Sequence, residues 1–138
     1  MNRRYVILVA LALLIGVEHY VRDRYEKVIA VHVDVLSEMT NKATGLATLG
    51  KRPSPNDLTE LMYPLERARQ FIGEYRDESE RPSYQRFVAA VDAYEALVMA
   101  IDAQRGSVES WADFRPLVAQ RAGRVSAALA AVRVDQDG

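Results

Sequence analysis

The chain has two histidines, the side chains best able to hold a cofactor or move a proton near neutral pH. His19 follows Glu18 at the end of an apolar run, where it could ligate a membrane haem or chlorin, or share a proton with the carboxylate. His32 has no second histidine or cysteine to complete a metal site. We interpret Glu18, His19 and Tyr20 as an interface with lipid headgroups or a neighbouring subunit, and His32 as a core residue. No cofactor or metal is predicted, and a haem or chlorin on His19 is the alternative.

The motifs of nucleophilic catalysis and nucleotide binding do not occur in the sequence. Neither Gly-x-Ser-x-Gly nor Ser-x-x-Lys is present, and the glycines form no Gly-x-Gly-x-x-Gly or P-loop pattern. Without cysteine, covalent c-type haem is excluded. A formal net charge of −1 lacks the basic excess of a nucleic-acid binder. The sequence therefore predicts a non-catalytic protein that does not bind nucleic acid.

Residues 6–17 form an uncharged run of mostly Val, Leu, Ile and Ala, which predicts a helix in or at a membrane. At about 1.5 Å per residue, the run is roughly 18 Å long, whereas the hydrocarbon core of a bilayer is about 30 Å thick. Tyr5 and Tyr20 flank the run and suit the two interfaces. We predict that residues 1–21 are a short single-pass anchor, which needs a thinned bilayer or a covering of other protein.

A cleaved signal peptide is the alternative, because Arg3 and Arg4 precede an apolar run of suitable length. No Ala-x-Ala-like cleavage site follows the run, which favours an uncleaved signal anchor in the inner, cytoplasmic membrane. Lys and Arg nearly balance on its two sides. The short basic N-terminal tail then favours a cytoplasmic N-terminus and a periplasmic or extracellular domain.

Four amphipathic stretches predict helices joined by short loops. The first continues the anchor through residues 22–49 and ends at Gly50, although the alternation in residues 31–35 would also fit a short strand. The second has Ser54 as N-cap and continues through Pro64 with a kink. The third follows Pro82 and ends at Gly106, and the fourth begins at Ser107 or Ser110. The predicted core faces are, in chain order, Tyr25, Val28, His32, Val35, Met39, Ala43 and Leu46; Leu58, Leu61, Leu65, Ala68, Ile72 and Tyr75; Tyr84, Phe87, Val91, Tyr94, Val98 and Ile101; and Trp111, Phe114, Val118, Ala122, Val125, Leu129 and Val132.

These elements predict an all-α protein in which the N-terminal transmembrane helix continues into an antiparallel, up-down-up-down four-helix bundle. The domains are the anchor at 1–21, the bundle at 22–134 and a disordered tail at 135–138.

The fourth helix has two features that suggest an interface. Small residues recur every four positions, and arginines follow one another without an acidic residue between Asp113 and Asp135. Such a small-residue face lets another helix approach closely, either within the bundle or from a partner chain. The predicted interface residues of this helix are Arg115, Arg121, Gly123, Arg124, Ala127 and Ala131, with Ala119 and Arg133 extending the same patterns.

The function expected from these features is that of an accessory or structural subunit of a larger membrane complex, with the lipid bilayer and other membrane subunits as partners. The alternative is a membrane-tethered sensory or small-ligand-binding bundle, in which aromatic side chains line a pocket between helices.

Overall fold

The computed structural model describes residues 3–105 and 111–137, and within them all side chains except those at 3, 5, 18–23, 105, 111, 112, 136 and 137. These residues form four α-helices, α1 Arg3–Thr48, α2 Pro55–Glu74, α3 Pro82–Arg105 and α4 Arg115–Asp137. Short 3-10 helices, Arg76–Glu78 and Trp111–Phe114, precede α3 and α4. The described part contains no strand, so the all-α prediction is confirmed and residues 31–35 are helical.

Gly50 ends α1, as the sequence predicts. Its φ of +69° is a left-handed conformation that glycine adopts without a Cβ clash. The amides of Gly50 and Lys51 donate to the carbonyls of Ala47 and Leu46, each at 3.0 Å. This is a Schellman motif, which satisfies carbonyls that the last turn of the helix would leave unpaired.

Ser54 begins α2 with the predicted cap. Its hydroxyl accepts from the Asp57 amide at 3.1 Å, and the Asp57 carboxylate accepts from the Ser54 amide at 2.9 Å. This reciprocal capping box, with Pro55 at the first helical position, satisfies the free amides of the first turn.

The start of α4 differs in part from the prediction. Trp111–Phe114 is a 3-10 turn and the α-helix begins at Arg115, which places Pro116 in its first turn. Proline is tolerated there because its missing amide would have had no partner. Gly106, Ser107 and Ser110 lie outside the described residues. The predicted tail at 135–138 overlaps the end of α4, which runs to Asp137.

The four helices form a closed ring of antiparallel neighbours. The Tyr84 hydroxyl donates to the Ile72 carbonyl at 2.7 Å, and the Tyr94 hydroxyl donates to the Leu61 carbonyl at 2.5 Å, so α2 and α3 run in opposite directions. Arg86 pairs with Asp135 at 2.8 Å between α3 and α4. The α3–α4 contact is the most extensive of the ring, followed by α1–α4, whereas α1 and α2 touch least.

The core faces predicted for α3 and α4 are confirmed, because their described members are buried apart from the half-buried Phe114. In α2, Phe71 is buried and Ile72 only half-buried. The prediction for α1 is confirmed for Tyr25 and Ala43, holds in part for Val28 and Met39, which are half-buried against the core, and is wrong for the exposed Val35. Its core face consists of Tyr25, Ile29, Val33, Leu36, Thr40, Ala43 and Ala47. Apolar residues lie on two sides of this helix, so spacing alone did not select the buried side.

In the part of the chain that the structure describes, none of the helices combines the length and the apolarity needed to traverse a bilayer. The transmembrane helix predicted at residues 1–21 is therefore not supported. The physical reason is the length of the apolar run, about 18 Å at the rise of an α-helix.

Candidate functional site

The most unusual surface of the described chain is the first part of α1, residues 3–24, called the leader below. Among the described side chains of α1, the first buried one is that of Tyr25, so the leader extends beyond the bundle. Its nine large apolar side chains, in residues 6–17, are each 49–66 % exposed. They are spread over more than three turns of the helix and surround it on every side. This part of α1 exposes apolar surface that the bundle does not cover.

Tyr25 fixes the point where the leader leaves the bundle. Its hydroxyl shares a hydrogen bond of 2.9 Å with the Ser83 hydroxyl, and the Arg81 guanidinium lies 4.9 Å from its ring centroid. The rings of Phe71 and Tyr75 pack against it at 6.0 and 5.6 Å. Burial raises the pKa of Tyr25, which keeps the hydroxyl neutral. The direction of the leader is therefore set by residues from α2 and α3.

A surface groove runs along the side of α1 that faces α2, and it is called the α1/α2 groove below. One section encloses about 420 Å³ and is lined by Val28, Val31, His32, Val35, Tyr63, Pro64 and Arg67. The next section encloses about 510 Å³ and adds Met39, Thr59 and Glu60. Val31 and Tyr63 are each 61 % exposed. The groove is an apolar strip open to water, in the region where α1 and α2 touch least.

Pro64 lines this groove and interrupts the hydrogen bonding of α2. Proline has no amide hydrogen, so the Glu60 carbonyl lacks the partner that a helical residue at position 64 would supply. The neighbouring Leu61 carbonyl accepts from the buried Tyr94 hydroxyl. Pro64 thus removes one backbone hydrogen bond from α2, while Tyr94 donates to the next carbonyl from the core side.

His32 is half-buried between the groove and the core, so the prediction of a core residue holds only in part. Its ring centroid lies 5.2 Å from that of Phe71 and 6.0 Å from that of Phe87. Burial lowers the pKa of His32, and the nearby Arg67 lowers it further, while Glu74 opposes them. The imidazole is therefore held in its neutral form at neutral pH.

The predicted interface of α4 faces away from the bundle. Ala119, Gly123 and Ala127 are exposed, and apart from the adjoining part of α4 itself nothing lies within 4 Å of where a Gly123 Cβ would be. Ala131 is half-buried. The small-residue face is thus left free by the other helices in the described structure.

The arginines of α4 occupy different surroundings. Arg115 and Arg124 are exposed, while Arg121 is half-buried, with a buried Nε that has no hydrogen-bond partner among the described residues. Arg133 pairs with Asp34 of α1 at 3.2 Å. These residues form no single basic cluster, since one of them joins α4 to α1.

The predicted interface residues do not come together at one site. The α4 residues lie along the bundle, while Glu18, His19 and Tyr20 belong to the leader, and their side chains lie outside the described residues. Sequence reasoning missed the α1/α2 groove, because it assigned Val28, Val35 and Met39 to the core. The alternation in residues 31–35 was the available signal, since Val33 is buried while Val31 and Val35 are exposed.

Among the described side chains, no three of His, Asp or Glu lie close enough together to hold a metal ion. No protein family, no curated protein and no solved structure matches the chain.

Proposed function

We propose that this chain is a non-catalytic, membrane-associated helical-bundle protein that acts as an accessory subunit of a larger membrane complex. The main observation behind this proposal is the exposed apolar surface of the leader. Nine large apolar side chains exposed to water on one helix are costly, at roughly 1.5–3 kcal/mol for each side chain left unburied. Some apolar surrounding must therefore cover them.

Lipid is the surrounding that fits the distribution of these side chains. They surround the helix at residues 6–17, whereas a single partner helix would cover only one side. A run of about 18 Å does not match a full hydrocarbon core, so the leader requires local thinning of the bilayer or neighbouring protein. The basic N-terminal tail favours a cytoplasmic N-terminus, with the bundle on the periplasmic or extracellular side.

The partner subunits are proposed from the surfaces that the bundle leaves free. The outward face of α4 carries Ala119, Gly123 and Ala127, whose small side chains allow close approach of another helix. The short apolar run also favours partner subunits, because neighbouring protein would cover the part of the leader that a bilayer of full thickness does not match.

Membrane fractionation of the full chain tests the first half of the proposal. The native protein is expected in the carbonate-washed membrane pellet, and the Leu11→Lys/Leu14→Lys variant in the supernatant, because each lysine costs about 2.5–3.5 kcal/mol in a bilayer. Leu49→Lys is the matched control, because Leu49 is 70 % exposed outside the leader and should leave the protein in the pellet. Native protein found in the supernatant would refute membrane association. Purification from solubilised native membrane tests the second half, and a lone chain without a stoichiometric partner would refute it.

A second candidate, the binding of a small ligand, is favoured by the α1/α2 groove. The groove combines apolar walls with the neutral His32 and with Arg67. These groups suit an aromatic carboxylic acid that also carries a hydrogen-bond donor. Thermal melting of the full chain in detergent with a set of such acids tests it, and a melting temperature unchanged by every acid would reject it.

A further inference from the structure

The side of α1 that forms the α1/α2 groove has the spacing of a coiled coil. Val28, Val31 and Val35 lie along it at intervals of three and four residues. The buried side of the same helix carries Ile29, Val33 and Leu36. Of the three groove valines, Val28 packs in part against the core, while Val31 and Val35 are exposed. A second apolar side on a helix already packed in a bundle indicates a second packing partner.

The same spacing continues in phase into the leader. Ile7, Ala10, Leu14 and Val17 follow intervals of three, four and three, and all four are exposed. From Val17 the spacing continues through Val21 and Arg24 to Val28, at intervals of four, three and four residues. The resulting series from residue 7 to residue 35, called the α1 seam below, is a heptad series with one charged member, Arg24.

We propose that the α1 seam pairs with the α1 seam of a second copy of this chain, in parallel, and that each α1/α2 groove receives the neighbouring α1. The proposal rests on the proposed function in one respect, which is that a shared membrane holds both copies in the same orientation. A two-fold axis parallel to α1 then places each seam residue against its own counterpart, so one apolar series satisfies both copies.

The residue types of the seam suit a parallel coiled coil. The first positions of successive heptads are Ile7, Leu14, Val21, Val28 and Val35, and all of them except Leu14 are β-branched, as in parallel coiled coils. The groove adds the aromatic ring of Tyr63, 61 % exposed on α2, as a further contact for the incoming helix. The hydrophobic effect acts chiefly in the part of the seam beside the bundle, because apolar helices in lipid gain little from it.

Arg24 should weaken this pairing while fixing its register. It is exposed and would approach the Arg24 of the second copy, where two like charges repel. A single polar position in an apolar seam costs stability but penalises shifted registers. Arg24→Leu should therefore increase the dimer fraction. Val31→Glu/Val35→Glu should weaken self-association by at least about tenfold, because each glutamate would bring a charge into the apolar seam.

Disulfide trapping tests the proposal directly, because the chain has no cysteine and each variant has a single thiol. Val31→Cys and Val35→Cys are oxidised in membranes from cells that express the full chain in two tagged lengths. The expected result is a disulfide-linked dimer, with a hybrid band of intermediate mass. Asn41→Cys is the matched control, because Asn41 is exposed and lies seven residues after Asp34, on the α4 side of α1.

The outcomes separate this proposal from the proposed function. Membrane-bound protein without a hybrid band, or with an equal band for Asn41→Cys, overturns the pairing and leaves the membrane proposal intact. A band that joins the chain to a different protein overturns the pairing in favour of another subunit. A hybrid band from protein found only in the supernatant supports the seam and refutes membrane association.

Discussion

Tyr94 offers the sharpest test of how this bundle is stabilised. Its side chain is fully buried in α3, and its hydroxyl donates to the Leu61 carbonyl of α2 at 2.5 Å. The acceptor lies three residues before Pro64, which has no amide hydrogen to donate to the helix. The change Tyr94→Phe removes the hydroxyl, keeps the ring, and leaves the Leu61 carbonyl with one fewer donor in a buried setting.

The expected loss follows from the position of this hydrogen bond. A neutral intramolecular hydrogen bond contributes about 0.5–1.5 kcal/mol, and a buried group left unsatisfied costs about 1–3 kcal/mol. Because the Leu61 carbonyl lies in a helix, we expect the lower part of the second range. Tyr94→Phe should therefore lower the free energy of unfolding by about 1–2 kcal/mol at pH 7.

The dependence of folding stability on alkaline pH provides a second test of Tyr94. Burial raises the pKa of Tyr94 well above its ordinary value of 10.0. The folded state therefore resists losing this proton, and the stability that results is complete below pH 10 and declines as the pH rises above it. The decline contributed by one such group approaches about 1.4 kcal/mol per pH unit. Tyr94→Phe should remove that contribution, so the difference between the variant and the native protein narrows above pH 10.

Urea unfolding of the full chain in detergent, followed by circular dichroism at 222 nm, measures both effects. Tyr63→Phe is the matched control, because the Tyr63 side chain is 61 % exposed and its change should cost less than about 0.5 kcal/mol. Equal destabilisation by the two variants at pH 7 would refute the role assigned to the Tyr94 hydroxyl. An unchanged alkaline slope in Tyr94→Phe would refute the pKa argument.

Two further predictions concern a pair of glycines and a histidine. Gly50→Ala should destabilise the protein by about 1 kcal/mol or more, because φ is +69° and the Arg115 Nη2 lies 2.7 Å from the position of the new Cβ. Gly123→Ala should stabilise it by about 0.5–1 kcal/mol, because the new Cβ would meet nothing within 4 Å. Urea midpoints of the two variants check this, and shifts of the same sign would contradict it. For His32, the pKa in the folded state is lowered from 6.5, so the unfolded chain binds more protons and stability falls as the pH drops below 6.5. His32→Gln should reduce the loss of stability measured between pH 7.5 and pH 5.5, and an identical loss would show that His32 does not cause it.

The sequence by itself determined the elements whose causes are local. Ser54, Pro55 and Asp57 cap α2 within one turn, and Gly50 ends α1 by its own backbone freedom. The core faces of α3 and α4 were also readable, because each of these helices has one dominant apolar stripe.

Only the tertiary structure decided which side of α1 is buried. Val33 and Val35 are alike in chemistry and two positions apart, yet Val33 is 1 % exposed and Val35 is 37 % exposed. Two apolar sides on one helix give equivalent patterns, and the choice depends on how α2 and α4 pack around it. The outward direction of Gly123 and Ala127 was decided in the same way. Periodicity reports that a helix has an apolar side, whereas burial is a property of the neighbours that surround it.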